Sequence, residues 1–389
     1  MSFISTTFGE FLSIQRGHDL PQNSRIAGDV PVVGSSGVVG FHNEKKGSIP
    51  GITIGRSGSI GKVNFHRNAY FPLNTTLYVT NFNGNIPKFA FYFLKNFDFT
   101  SFDSGSVQPT LNRNFLNPAQ IEIPSIPEQK AIAHILGTLD DKIELNQKMN
   151  ETLEEIAKSI FKSWFVDFDP VRAKAEGRET NLPSEISDLF PDELVDSEIG
   201  EIPKGWEVHP LGSVFLIQYG KNLPTKNLIE DGYPVFGGNG VIGFHSKYIY
   251  EEVMTLVACR GAASGKVGRS LPKSFVTNNS LVINHEGAEL TSQRFIEFTL
   301  ESGDPENYVT GSAQPQLTID NIKNFPFITP PSEIVNSFQG IVNPLADRQR
   351  LLDSENQVLS ELRDTLLPKL ISGELRIPDA EKFLEEAGI

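Results

Sequence analysis

The chain has 389 residues, 39% of them hydrophobic and 21% charged, with 34 Lys/Arg against 48 Asp/Glu for a net charge of −14. That length suits two or three soluble globular domains, each able to bury its own core. A single Cys excludes a disulfide framework and a Cys-based zinc finger; no apolar run approaches the ~20 residues of a membrane helix, and Met1–Thr7 lacks the regions of a secretory signal, so a cytoplasmic protein is expected.

In chain order, residues 1–126 are the basic part, with 10 Lys/Arg against 7 Asp/Glu. Short β-branched runs such as Gly51-Ile52-Thr53-Ile54 lie between Gly and Asn turns, which predicts a mixed α/β globule. The cluster Pro124-Ser125-Ile126-Pro127 breaks the chain. From 131 to 165, Ile132, Leu139, Asn146, Leu153 and Ile160 recur every seven residues, flanked by Leu136, Ile143 and Ala157. Residues 127–200 are strongly acidic, 8 Lys/Arg against 17 Asp/Glu, as solvated helix faces and linkers usually are. A second globule follows, with the run Thr255-Leu256-Val257-Ala258, and closes at Pro330-Pro331. Beyond it Phe338, Leu345, Leu352, Leu359 and Leu366 form a second heptad series, with Ile341 and Leu362 on the adjoining stripe.

A sustained 3.5-residue repeat predicts a coiled-coil seam, with the other copy as the natural partner. Helices of ~35 residues would be on the order of 50 Å long. Asn146 on that seam is expected to set the register at some cost in stability. The alternative is two amphipathic helices, each packed on its own globule.

The two halves are copies of one unit. Phe8-Gly9-Glu10-Phe11-Leu12-Ser13-Ile14-Gln15-Arg16-Gly17 returns as Leu211-Gly212-Ser213-Val214-Phe215-Leu216-Ile217-Gln218-Tyr219-Gly220, and Pro31–His42 returns as Pro234–His245, both at an offset of 203. At 204, Arg56, Gly61, Lys62, Val63 and Asn74 match Arg260, Gly265, Lys266, Val267 and Asn278; at 206, Gly105–Leu111 matches Gly311–Leu317. So many ordered matches with so little drift mark an internal duplication.

Catalytic signatures are missing. Gly55-Arg56-Ser57-Gly58-Ser59-Ile60-Gly61-Lys62-Val63 resembles a phosphate-binding loop, but Arg56 stands where the first Gly belongs and Val63 where a Mg²⁺-holding hydroxyl belongs. The second copy departs in the same way, and each is read as a tight turn between strands. No metal-ligand spacing or nucleophile elbow appears. His42 and His245 recur after Gly-Phe and read as satisfied core or turn histidines; Cys259 aligns with Gly55, so no cysteine chemistry is shared. The polar positions that do repeat are Arg56/Arg260, Lys62/Lys266, Asn74/Asn278 and Gln108/Gln314. Arg and Lys contact phosphate and guanine, Asn and Gln contact adenine. Singly, each is explained by a turn or a proline bend; as a set repeated in Gly-rich loops, they are candidates for a DNA-binding face.

Together these features resemble the specificity (S) subunit of a Type I restriction–modification enzyme. The resemblance spans nearly the whole chain and is carried most specifically by Ile123–Ile132, Lys162-Ser163-Trp164-Phe165-Val166-Asp167-Phe168-Asp169-Pro170-Val171, Ile202–Val208 and Leu367–Leu375. It implies an α/β (mixed α+β) architecture: two similar target-recognition domains separated by two long antiparallel helices forming a coiled-coil spacer, a pseudo-twofold internal repeat. The divisions expected are residues 1–126 and 202–330 for the recognition domains, 127–170 and 331–376 for the spacers, 171–201 for an acidic linker and 377–389 for a C-terminal tail.

The resemblance further implies a non-catalytic subunit that reads a bipartite, asymmetric site in double-stranded DNA. Its partners would be two adenine-methylating modification subunits and restriction subunits. The cofactors S-adenosylmethionine, ATP and Mg²⁺ would belong to those partners. The spacer and subunit-contact residues would be Leu139, Ile143, Asn146, Leu153, Ile160, Leu345, Leu352, Leu359 and Leu366. One departure is Ser332-Glu333-Ile334 in place of the usual Glu-Gln after the second proline cluster, which is expected to weaken that helix start. The competing class is a tandem-domain scaffold that binds protein or carbohydrate.

Overall fold

In a computed structural model, residues 2–102, 110–285, 292–311 and 313–386 are described. The chain divides into two units, 1–148 with 352–389, and 149–351. Two long helices, Ile126–Phe165 and Ser332–Ser372, each contribute one half to either unit. At 40 and 41 residues they exceed the length expected from the heptads, because each continues through its own flanking sequence.

The first unit is built on a four-stranded antiparallel sheet in the order Ser13–Arg16, Thr76–Asn81, Gly51–Gly55, Val63–His66. A three-stranded sheet orders Gly37–His42, Val30–Gly34 and Phe71–Pro72, the last pair parallel. Phe3–Thr7 pairs with Gln120–Pro124 and so closes the domain beside the start of the first long helix. Ile52, Ile54, Leu77 and Val79 point from the sheet into one core with Phe89, Phe93 and Leu94 of helix Pro87–Asn96.

That core continues onto the long helices. Ile132, Leu136, Leu139 and Ile143 of the first pack in one cluster with Leu359, Leu366 and Leu370 of the second. Within this unit the helices run antiparallel: Asp140 pairs with Arg363 at 2.8 Å, while Lys142, further along the first helix, pairs with Glu355, further back along the second. The helix start is tied down by its own sequence. Glu128 Oε2 accepts from Ser125 N at 3.0 Å, and the buried Gln129 amide bonds Asn85, Pro124 and Ile86. A capped buried amide of this kind satisfies backbone groups that a helix end leaves unpaired.

The second unit repeats the plan. Its sheets order Leu216–Tyr219, Ser280–Asn284, Thr255–Ala258, Val267–Arg269, and Gly240–His245, Tyr233–Gly237, Phe275–Val276. Glu207–Pro210 pairs with Pro326–Thr329. The segment 171–201, expected as an acidic linker, carries most of helix Asp169–Ala175 and the hairpin strand Leu194–Ser197, which pairs with Gly200–Pro203; its Val171 and Phe190 lie in the unit's core with the flanking Trp164, Phe165, Phe168 and Trp206.

Here too the long helices pair. Ala157, Phe161 and Phe165 of the first share a cluster with Ile334, Phe338 and Val342 of the second, and Gln349 Nε2 donates to Asn150 O at 3.0 Å and to Glu154 Oε2 at 3.2 Å. Despite the missing Glu-Gln, the second long helix begins directly at Ser332, with Ile334 N bonded to Pro331 O at 3.1 Å. The heptad residues Leu139, Ile143, Asn146, Leu352, Leu359 and Leu366 are buried; Leu153, Ile160 and Leu345 are half-buried.

Candidate nucleic-acid interface

The repeated polar residues gather at one end of each four-stranded sheet. In the first unit, Gly55 pairs with Thr76 and Ile54 with Val63, which sets Arg56, Lys62 and Asn74 at the same end as Arg16, whose partner is Leu77. In the second, Ala258 pairs with Ser280 and Val257 with Val267, placing Arg260, Lys266 and Asn278 likewise.

The loop that resembled a phosphate cradle is a tight turn. Gly61 N bonds Gly55 O at 2.9 Å and Gly265 N bonds Ala258 O at 2.8 Å. Gly61 and Gly265 have φ of +74° and +91°, where an L side chain is strained. A Cβ on Gly265 would also lie 2.7 Å from Glu306 Cα. The lysine after that glycine reaches the tip of the neighbouring hairpin in both copies. Lys62 Nζ donates to Ser36 O at 2.6 Å, and Lys266 Nζ donates to Asn239 Oδ1 at 2.8 Å. Ser36 and Asn239 are equivalent turn positions, and both lysines are exposed.

The hairpins themselves are apolar and uncovered, with Val38, Val39 and Phe41 exposed in one and Val241 and Ile242 in the other. Arg56 is half-buried and donates through Nη1 to Asn74 O at 3.4 Å, so these two candidates meet. The Asn74 amide is engaged by Asp19, and its backbone N–H bonds His18 O at 2.9 Å. Asn278 makes the same backbone bond, to Lys221 O at 3.1 Å. Arg260 is exposed and bridges to Gln316, while Gly261 N bonds Pro315 O at 3.0 Å, which brings the exposed Gln314 beside it. Gln108 lies outside the described residues.

His42 Nδ1 accepts from Ile26 N at 3.1 Å and His245 Nδ1 from Lys247 N at 3.1 Å, so both are satisfied at the ends of their strands, His42 buried. Cys259 is buried, and burial pushes its thiol pKa up, which suits packing and not nucleophilic attack. Among the described residues no cluster of His, Cys, Asp and Glu is placed to hold a metal, and no helix is long and apolar enough to cross a membrane.

Two residues with evident binding potential escaped the sequence reading. Arg16 and Arg113 line, with Arg56, Gln15 and Asn112, an open cavity of about 290 Å³ in the first unit. A search for repeated polar positions passes over them, because their counterparts are Tyr219 and Ile319. The useful signal is the opposite one: polar residues that differ between two copies of one scaffold.

Residues 5–155 and 203–363 match the family model described as the Type I restriction modification DNA specificity domain. The chain belongs to the specificity subunits of Type I restriction–modification systems. It is similar to the Type I restriction enzyme MjaIX specificity subunit of Methanocaldococcus jannaschii, 30% identical over 324 residues that cover 76% of this chain and 71% of that protein. It is also similar to the HindI specificity subunit of Haemophilus influenzae, 28% identical over 383 residues covering 78% and 81%. Among solved structures, the fold matches a Type I S subunit from M. genitalium with a TM-score of 0.59 at 17% identity, over 95% of this chain and 96% of that one. A specificity subunit recognises DNA sequence, so the family match favours DNA over the protein- or carbohydrate-binding scaffold.

Proposed function

We propose that this specificity subunit reads a bipartite, asymmetric DNA site, one half-site for each recognition domain, and is itself non-catalytic. The observation that supports this best is the lysine clasp. The same Gly-Lys turn holds the same hairpin tip at the same sheet end in two separate units, while the surrounding side chains differ. Two like scaffolds with unlike surfaces suit two unlike half-sites. Arg56, Lys62, Asn74, Gln108, Arg260, Lys266, Asn278 and Gln314 are assigned to DNA contact. Residues 1–126 and 202–330 act as the recognition domains, 127–170 and 331–376 as spacers.

The half-sites are separated by base pairs that go unread. The long helices also supply the surface on which two modification subunits dock, with restriction subunits completing the assembly in the cytoplasm. S-adenosylmethionine, ATP and Mg²⁺ are used by those partners, and methylation falls on adenine.

The test is reconstitution. The purified chain alone is expected to transfer no methyl group and hydrolyse no ATP, and adding its modification subunit with S-adenosylmethionine is expected to give sequence-dependent adenine methylation. Methyl transfer by the chain alone would overturn the non-catalytic assignment.

A further inference from the structure

The two recognition domains share a backbone but diverge sharply at one cavity. In the first unit the space is lined by three arginines: Arg16 at the end of strand Ser13–Arg16, Arg56 after strand Gly51–Gly55, and Arg113 opening the short helix Arg113–Leu116. The same frame exists in the second unit. Arg16 pairs across its sheet with Leu77 as Tyr219 pairs with Leu281. Arg113 follows the helix cap Asn112 as Ile319 follows the helix cap Thr318, and the next helical turn buries Leu116 and Ile322 completely. Arg56 corresponds to Arg260 and Gln15 to Gln218. So the outer two arginines are replaced by a tyrosine and an isoleucine, while the inner one is kept.

Three like charges around one cavity repel each other unless an electron-rich ligand enters. Arg16 is paired with Asp19 at 3.5 Å, but both side chains are more than half exposed, where such a pair contributes little. Among the described residues Arg56 and Arg113 meet no carboxylate. Arginine offers five N–H donors and no acceptor, so the ligand must present acceptors. In DNA these are phosphate oxygens or the O6 and N7 atoms of guanine, which a guanidinium fork engages bidentately.

The comparison between the units separates these. Contacts to the backbone are needed by both domains, and both possess cations that can supply them, Arg56/Arg260 and Lys62/Lys266. Residues present in one domain only carry what differs between half-sites, which is sequence.

We infer that Arg16 and Arg113 form a guanine-reading pocket, so that the half-site of the first domain contains guanine recognised in the major groove, whereas Tyr219 and Ile319 read no guanine in the second. The inference rests on the half-site assignment proposed above.

The experiment uses the full chain with its modification subunit, on a randomised DNA library methylated with S-adenosylmethionine. Arg16→Tyr and Arg113→Ile place the second domain's residues in the first. Each is expected to reduce discrimination for guanine at one position of one half-site by roughly 5- to 150-fold, the other half-site being unchanged. Arg16→Lys and Arg113→Lys keep the charge but not the planar fork, and are expected to weaken the guanine preference only in part, with an unaltered salt dependence of binding. If instead the Tyr and Ile variants weaken all sequences evenly, with the guanine preference unchanged, while lowering the salt slope by about one each, the arginines hold phosphate and the inference is overturned. A wild-type site with no guanine in either half also overturns it while leaving the bipartite reading intact. A continuous wild-type recognition sequence overturns the bipartite reading, and this inference with it.

Discussion

Asn146 Nδ2 donates to Glu355 Oε2 and to Asn356 Oδ1, each at 3.0 Å, across the helix pair of the first unit. Asn146 is only 1% exposed and sits on the heptad series between Leu139 and Leu153. Removing one partner of a buried hydrogen bond costs the desolvation of the other, about 1–3 kcal/mol. Asn146→Ala is therefore expected to lower the stability of this unit by about that amount, measured by urea denaturation.

Lys62 and Lys266 are exposed, so their bonds to the hairpin tips contribute little stability, while their charges lie at the proposed DNA face. Lys62→Ala or Lys266→Ala is expected to weaken DNA binding about evenly across sequences and to lower the salt slope by about one, with melting nearly unchanged. Arg56→Ala and Arg260→Ala should behave alike in binding. An early-melting variant with the wild-type salt slope would assign that residue to the fold alone. Salt titrations beside melting curves provide the check.

His66 lies against Tyr70, ring centroids 4.1 Å apart, and its Nε2 meets Thr53 Oγ1 at 2.9 Å. Burial pushes its pKa down to about 4 from the ordinary 6.5. The unfolded chain then binds the proton more readily between those values, so this residue's contribution is complete above pH 6.5 and is lost as pH falls toward 4. The loss is at most about 3 kcal/mol. His66→Gln keeps a hydrogen-bonding group without the titration, and it should flatten the difference between denaturation curves at pH 7 and pH 4.5.

A half-chain of about 1–175 keeps the first recognition domain and the whole first long helix but exposes the face of Leu136, Leu139 and Ile143 that Leu359 and Leu366 cover in the full chain. Exposed apolar area costs ~25 cal/mol per Å², and a second half-chain restores the cover in an isologous dimer. Light scattering is expected to report a dimer, and methylation with the modification partner an inverted repeat of the first half-site. A soluble monomer would show that the seam does not pair this way.

The duplication was legible because matched residues keep a nearly constant offset, and the long helices because heptads survive where the repeat drifts. The Gly-Lys turn was legible for a steric reason: a positive-φ glycine leaves a fixed mark in sequence. What stayed hidden depends on distant partners. The set in which Arg294 bonds Glu154, Glu297 and Gln349 joins residues up to 195 positions apart and has no local signature. The tail expected after 376 is the helix Ile377–Glu386, with Ala380 fully buried, and its short apolar stripe reads as a helix only once a surface is there to receive it. Arg16 and Arg113 were missed because what singles them out is the absence of a match.

The central claim, that two recognition domains read two half-sites, is tested most directly by mapping methylated adenines genome-wide in cells that express this chain with its modification subunit. The expected result is one asymmetric sequence of two specified half-sites, with a fixed number of unspecified base pairs between them. A continuous recognition sequence, or a palindromic one from the intact chain, would contradict it.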